Sequence, residues 1–271
     1  MTGTRVLVVE NDPSNDLGRL GIWLSEAGVQ PHLLRPHAGD PLPDTLEGYA
    51  GLVVLGGAQR AYADLKGPTP EAPLAGSNPA PDTVWFAALR KLFRRAGADR
   101  IPTLAIGLGA QLLAQAYGGE VAPAQNGPEI GPRLVAKRDA AASDPLFAEL
   151  PLTPDVLQWH HDEIIRLPAG ATLLAASPRC THQAFRVGTR CWGLQFHIEC
   201  DAAMIEQWVA AEDTWSADLD IDPERAVEAC QAILSDLEEA WRPFTERFAG
   251  VVTGHLAADS DPSRQLPLLG S

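Results

Sequence analysis

Apolar positions in the first part of the chain fall into short unbroken runs separated by helical stripes. Arg5-Val6-Leu7-Val8-Val9 is the kind of run a strand shows when both of its faces are buried. Leu17, Leu20, Leu24 and Ala27 then share one helical stripe, closed by Gly28. Leu52-Val53-Val54-Leu55 predicts a second buried strand that stops at Gly56-Gly57. The Pro- and Gly-rich stretch from Gly67 to Pro81 predicts a surface loop. Val84, Leu89, Leu92, Phe93 and Ala96 follow it at helical spacing. Thr103-Leu104-Ala105-Ile106 predicts a third buried strand, running through Gly107-Leu108-Gly109 into a helix from Gln111 to Ala116. Buried strands alternating with amphipathic helices predict an α/β fold, a parallel sheet with helices on both faces.

After Gly119 the texture changes to short strand-like segments: Leu134-Val135-Ala136, Val156 to Trp159, Thr172 to Ala176, Gln183 to Val187 and Cys191 to Phe196. Turn residues join them as in hairpins, so they are expected to add strands to one side of the same sheet. From Asp201 the pattern is helical again. Asp222-Pro223 offers an N-cap and a first-turn proline. They open a stripe of Val227, Cys230, Ile233, Leu234, Leu237, Trp241 and Phe244, which Pro243 is expected to kink or divide. The predicted organisation is a main domain over 1–200, a helical extension packed on it over 201–254, and a loose tail over 255–271.

Composition narrows the function classes. The 271 residues suffice for one large α/β domain with extensions or two small ones, and 45% hydrophobic residues can build a core. A net charge of −14 with no Lys or Arg run repels phosphate backbones and anionic lipid, which argues against nucleic-acid and membrane partners. The apolar run near the N-terminus is too short for a signal peptide, and no later run approaches about 18 residues. Cys180, Cys191, Cys200 and Cys230 show neither CxxC pairing nor zinc spacing. A soluble protein of the reducing cytoplasm is expected.

Three segments can carry chemistry. A buried strand turning into a helix through Gly107-Leu108-Gly109 has the layout of a nucleophile elbow, where amides and the helix dipole stabilise negative charge. The same glycines would equally serve a plain tight turn. In Gln195-Phe196-His197-Ile198-Glu199, residues two apart on extended backbone share a side, so Glu199 can orient His197; a surface ion pair at a strand end is the alternative. Gln158-Trp159-His160-His161-Asp162-Glu163 holds vicinal histidines that point to opposite faces, and no third ligand stands at a convincing spacing. A polar site wall is therefore expected there, with no metal.

Together these segments resemble the class I (triad-type) glutamine amidotransferases from about Arg5 to about Val209. The family's elbow, G-I-C-L-G-x-Q-L-L-A, fits Ala105 to Ala114 except that Ala105 replaces the leading glycine and Gly107 replaces the cysteine. Its Gly-Gly turn fits Gly56-Gly57, its E-I-G fits Glu129-Ile130-Gly131, its W-H-x-D fits Trp159 to Asp162, and its His-x-Glu fits His197 to Glu199. The resemblance implies a flavodoxin-like, mostly parallel sheet, extra antiparallel strands in the second half and a C-terminal helical extension. It implies glutamine hydrolysis without a cofactor. Amides near Gly57 and Leu108 would hold the oxyanion, and His197 with Glu199 would serve as base. Gln111 and the Glu129, Ile130 and Gly131 backbone would hold glutamine within a wall including His160 and His161. Ammonia would pass to a partner synthase or other acceptor protein.

Gly107 has no side chain and cannot form the thioester, so the chain is expected to be inert as a standard glutaminase. Cys191, Cys200 and Thr103 lie off the elbow, where a shift of several Å defeats attack geometry. Three readings follow. Gly107 is an inactivating replacement in a working amidotransferase, which the intact His197, Glu199 and Gln111 favour. Or the chain is a natural non-catalytic relative, a sensor or partner subunit that binds glutamine or a glutamine-like small molecule, which Ala105 favours. Or His197 and Glu199 do non-covalent acid–base work on an amide or amine.

Overall fold

The computed structural model describes residues 3–65, 83–212 and 223–258. The first half runs β1 (Thr4–Val9), α1 (Gly18–Glu26), β2 (Val29–Leu34), β3 (Gly51–Val54), α2 (Phe86–Ala98), β4 (Thr103–Ile106) and α3 (Leu108–Ala116). Next come β5 (Glu120–Pro123), β6 (Glu129–Leu134), β7 (Ala136–Lys137), β8 (Asp155–His160) and β9 (Asp162–Arg166). The chain continues through β10 (Thr172–Ala176), β11 (Ala184–Val187), β12 (Cys191–Leu194), α4 (Ala202–Ala211), α5 (Pro223–Ala232) and α6 (Leu234–Thr253).

One eight-stranded sheet organises the molecule, in the order β2-β1-β3-β4-β12-β11-β10-β7. The first five strands are parallel and the last three antiparallel. Side chains alternate across it, so Val6 and Val8 enter one core layer while Leu7 and Val9 enter the other. The first layer is closed by α1, α4, α5 and α6, and the second by α2 and α3. The expected mostly parallel α/β sheet with antiparallel additions and C-terminal helices is what the chain forms.

Details depart from the sequence pattern for identifiable reasons. β2 carries Pro31 and His32 and pairs only with β1, so this edge strand has neither the apolar run nor the ladder amide of a central one. Leu134-Val135-Ala136 is not one strand. Leu134 ends β6, which pairs with β8 in a separate ribbon, while Ala136 opens β7 on the main sheet. A second ribbon joins β5 to β9. Val84 lies outside α2 and is 77% exposed, whereas Leu89, Leu92, Phe93 and Ala96 are buried.

Pro243 does not divide the C-terminal helix, which runs unbroken through it; the division falls at Ile233. An interior proline costs about 3 kcal/mol, but Pro243 faces outward while Trp241, Phe244 and Phe248 are buried on either side of it. Burial of large apolar side chains, at roughly 1.5–3 kcal/mol each, outweighs that cost. The predicted Gly67–Pro81 loop, the Asp222 cap and the tail beyond 258 lie outside the described residues. Among the described residues no helix is long and apolar enough to cross a membrane.

Candidate functional site

The carboxyl ends of β3, β4 and β12 meet at one cleft. β4 ends at Ile106, and the chain turns at Gly107 with φ 55° and ψ −119° before α3 begins at Leu108. Those angles are open to glycine and strained for other residues. The turn is pinned on both sides: the Gly107 amide donates to Leu194 O at 2.8 Å, and the Gln111 amide donates to Gly107 O at 3.1 Å. As the first residue of α3, Leu108 has an amide with no acceptor inside the helix.

Beyond β12 the chain bends at Gln195 and Phe196, and the His197 amide donates to Leu157 O of β8 at 2.8 Å in an isolated antiparallel bridge. Nδ1 of His197 is 2.7 Å from Glu199 Oε1, while Glu199 Oε2 accepts the Ile198 amide at 2.9 Å. Trp208 packs against the imidazole in an edge-to-face arrangement, with ring centroids 4.7 Å apart. Both His197 and Glu199 are buried. A Cβ on Gly107 would stand 3.0 Å from His197 Cε1 and 3.2 Å from Nε2. The imidazole therefore presents its free nitrogen to the elbow, with the carboxylate behind it.

Gly56 and Gly57 line the opposite side. A Cβ on Gly56 would meet His197 Cε1 and Asn15 Nδ2, each at 2.9 Å, and one on Gly57 would meet Gln59 Oε1 at 2.4 Å. Behind this turn lies a polar set for which the sequence offered no periodic or motif signal. Asn11 Nδ2 donates to Leu55 O at 2.8 Å, Trp85 Nε1 donates to Asn11 Oδ1 at 3.0 Å, and Gln59 Nε2 donates to Asn11 O at 3.0 Å.

The β6–β8 ribbon forms the next wall. Glu129 pairs in register with His160, Ile130 with Trp159 and Gly131 with Gln158. Gln111 Nε2 donates to Asp162 O at 3.0 Å and lies 3.4 Å from Gln195 Oε1, which ties α3 to this wall. Asp162 Oδ1 accepts from Arg60 Nη1 and from the Tyr62 hydroxyl, both at 3.2 Å. Burial raises the Asp162 carboxyl above its ordinary range, although Arg60 and Tyr62 oppose the shift.

His160 and His161 face opposite ways, as extended backbone requires. His161 Nε2 is 3.0 Å from Glu212 Oε2. Burial lowers its affinity for a proton, but the Glu212 contact and the nearby Asp162 charge outweigh this, and its pKa is raised. His160 Nδ1 is 3.1 Å from Asp162 O and its Nε2 is 3.3 Å from Glu129 Oε2. Cys180 joins them: ligand atoms of Glu129, His160 and Cys180 lie within 4.8 Å of one another, all buried. Spacing along the sequence concealed this third donor, which the β6–β8 pairing and the 177–183 turn bring in from both sides.

None of the cysteines is a poised thiolate. All four are buried and free. Burial pushes the Cys191 and Cys230 thiols up to about 11 and raises Cys180 and Cys200 as well. Cys200 lies within 4.8 Å of ligand atoms on His197 and Glu199.

The profile of the glutamine amidotransferase class-I family matches residues 24–203. The glutamine amidotransferase-like protein YfeJ of Salmonella typhimurium is 28% identical over 202 residues, 74% of this chain and 78% of the relative. A GMP synthase [glutamine-hydrolyzing] from Thermomicrobium roseum is 43% identical over 99 residues, 36% of this chain, which spans 18% of that protein. The crystal structure of a glutamine amidotransferase from Thermotoga maritima superposes with a TM-score of 0.76 at 30% identity, covering 91% of this chain and 98% of the other.

Proposed function

The chain belongs to the class-I glutamine amidotransferase family, and from that premise we propose an amidotransferase-type protein that binds glutamine but cannot hydrolyse it by the covalent route. The observation that carries this reading is His197 Nε2, 3.2 Å from the Cβ that Gly107 does not have. The base, its orienting carboxylate and the elbow are in register, and only the attacking atom is absent.

In this reading glutamine enters with its side-chain amide over Gly107. The Leu108 amide and the amide near Gly57 face the position of the oxyanion. Gln111 and the backbone of Glu129, Ile130 and Gly131 hold the rest of the molecule, within a wall that includes His160 and His161. A thiol at position 107 would pass its proton to His197 Nε2, with Glu199 holding the imidazolium. The protonated His197 would then protonate the departing ammonia. Without the thiol, His197 has no nucleophile to activate, and loss of a triad nucleophile removes orders of magnitude of rate. Ammonia made by a thiol-bearing form would go to a partner synthase, an inference supported by the glutamine-hydrolysing GMP synthase relative.

One observation favours a natural non-catalytic protein over a disabled enzyme. At 3.0 Å, His197 Cε1 is closer to the position of the missing Cβ than ordinary contact allows. A side chain at 107 would need the imidazole to give by a few tenths of an ångström, which suits a cleft fitted to glycine and used for binding.

The test is glutamate release from glutamine by this chain and by Gly107→Cys, with calorimetric titration of glutamine into both. Restored release supports the disabled enzyme. Binding to both proteins without release supports the binding protein. Absence of glutamine binding to either protein would overturn both readings.

A further inference from the structure

We propose that Glu129, His160 and Cys180 form a site for one divalent transition-metal ion, zinc by donor chemistry, set behind the β6–β8 wall of the cleft.

The His160 ring fixes the starting point. Its Nδ1 faces a backbone carbonyl, Asp162 O at 3.1 Å, and a carbonyl can only accept. Nδ1 therefore carries a proton, and in the neutral imidazole Nε2 presents its lone pair. That nitrogen is buried, makes no hydrogen bond and lies 3.3 Å from Glu129 Oε2. Two acceptors this close in a dry interior repel, unless a proton or a metal ion lies between them. The Cys180 sulfur completes the group, with all three ligand atoms within 4.8 Å. Imidazole, thiolate and carboxylate suit zinc, while calcium and magnesium ask for oxygen alone.

The surroundings have the form of an outer ligand shell. A ligating histidine usually donates its other N–H to a carbonyl or carboxylate, as His160 does to Asp162. Gln183 Nε2 donates to Glu129 Oε2 at 2.9 Å and lies 3.1 Å from Ser177 Oγ, which orients the carboxylate. The fourth position would fall to water or to Glu163, whose carboxylate interacts with the Cys180 thiol. Zinc bonds of about 2.0–2.3 Å require the three atoms to draw together by on the order of 1 Å. The Ser177–Cys180 turn, closed by the Ser177 amide on Cys180 O at 2.9 Å, can move as a unit to allow it. Binding would release the thiol proton to solvent, so affinity falls as pH falls. The ion would join β6, β8 and the 177–183 turn. Through Asp162 O it would brace the carbonyl that also holds Gln111.

The probe is cobalt(II) added to the full chain after chelator treatment. One equivalent should bind with tetrahedral visible absorption and a thiolate-to-cobalt charge-transfer band, and zinc should displace it. Cys180→Ser should abolish the charge-transfer band, and Cys200→Ser should leave it intact. Absence of the band in the parent chain overturns the proposal. A band that survives Cys180→Ser, or is lost in Cys200→Ser, also overturns it. Should Cys180→Ser fail to fold, X-ray absorption on the zinc-loaded Cys200→Ser chain decides. One sulfur at about 2.3 Å supports the site, and a shell of nitrogen and oxygen alone refutes it.

Discussion

His197 and His160 are both buried, and each has its Nδ1 held by an acceptor and its Nε2 free of hydrogen bonds to its own strand. They differ in what stands at each nitrogen. Behind His197 is a carboxylate, Glu199, and in front is a glycine. Behind His160 is a neutral carbonyl, Asp162 O, and in front is a carboxylate. A charged orienter with open space ahead suits an imidazole that takes and returns protons. A neutral orienter with other donors ahead suits one that holds a fixed charge. On the proposed roles, one ring type would serve two purposes, separated by its neighbours rather than by its own chemistry.

The most forceful way to sharpen the His197 side is to supply what it faces. Gly107→Cys should raise glutaminase turnover by more than about 10³-fold if the triad is otherwise intact, measured as glutamate release. In that background, Glu199→Gln should reduce kcat by about 10³–10⁴-fold with little change in KM, because the orienting carboxylate is lost while the binding wall is kept. A small loss would break the contrast between the two histidines.

Stability effects come next. Gly107→Cys places a side chain at φ 55° and against His197, so it should lower stability by roughly 1–3 kcal/mol by denaturant unfolding. A stabilised variant would contradict the strain. Gly57→Ala places a methyl 2.4 Å from Gln59 Oε1, the far end of a flexible side chain, and should cost less, about 1 kcal/mol.

The smallest effect concerns His161, the neighbour of His160 that faces the other way. Its pKa is raised through Glu212, so the pair contributes stability below the unfolded histidine value of about 6.5, and this is lost as pH rises through the higher folded value. Glu212→Gln should therefore destabilise by about 1 kcal/mol or less near pH 6 and converge with the parent above pH 8. Equal destabilisation at both pH values would remove the ion pair from the account.

Legibility in the sequence followed how local each signal was. Val6 to Val9, Leu52 to Leu55 and Thr103 to Ile106 read as central strands because both of their faces are buried, which leaves an unbroken apolar run. The tight turn at Gly107 and the His197–Glu199 contact were also readable, since a glycine-spaced turn and an i, i+2 pair are properties of neighbouring residues. β2 was not, because an edge strand tolerates Pro31 and His32. Pro243 misled because a local rule about amides gave way to burial of Trp241 and Phe244. The Asn11–Gln59–Trp85 set and the Glu129–His160–Cys180 group depend on strand pairing and loop return, which no window of the chain contains.

Trp241, deep in the C-terminal helix, donates its indole N–H to Asp155 O at 2.8 Å, at the first residue of β8. Further along the same strand, Leu157 bridges to His197, and its last residue is His160. A single helix thus sets the height of the strand on which both histidines depend. For protein engineering, a transplantable version of this cleft cannot be trimmed at the end of the sheet. Cutting before α6 would free β8 at its root and loosen both nitrogens together, so the smallest portable unit extends at least to Thr253.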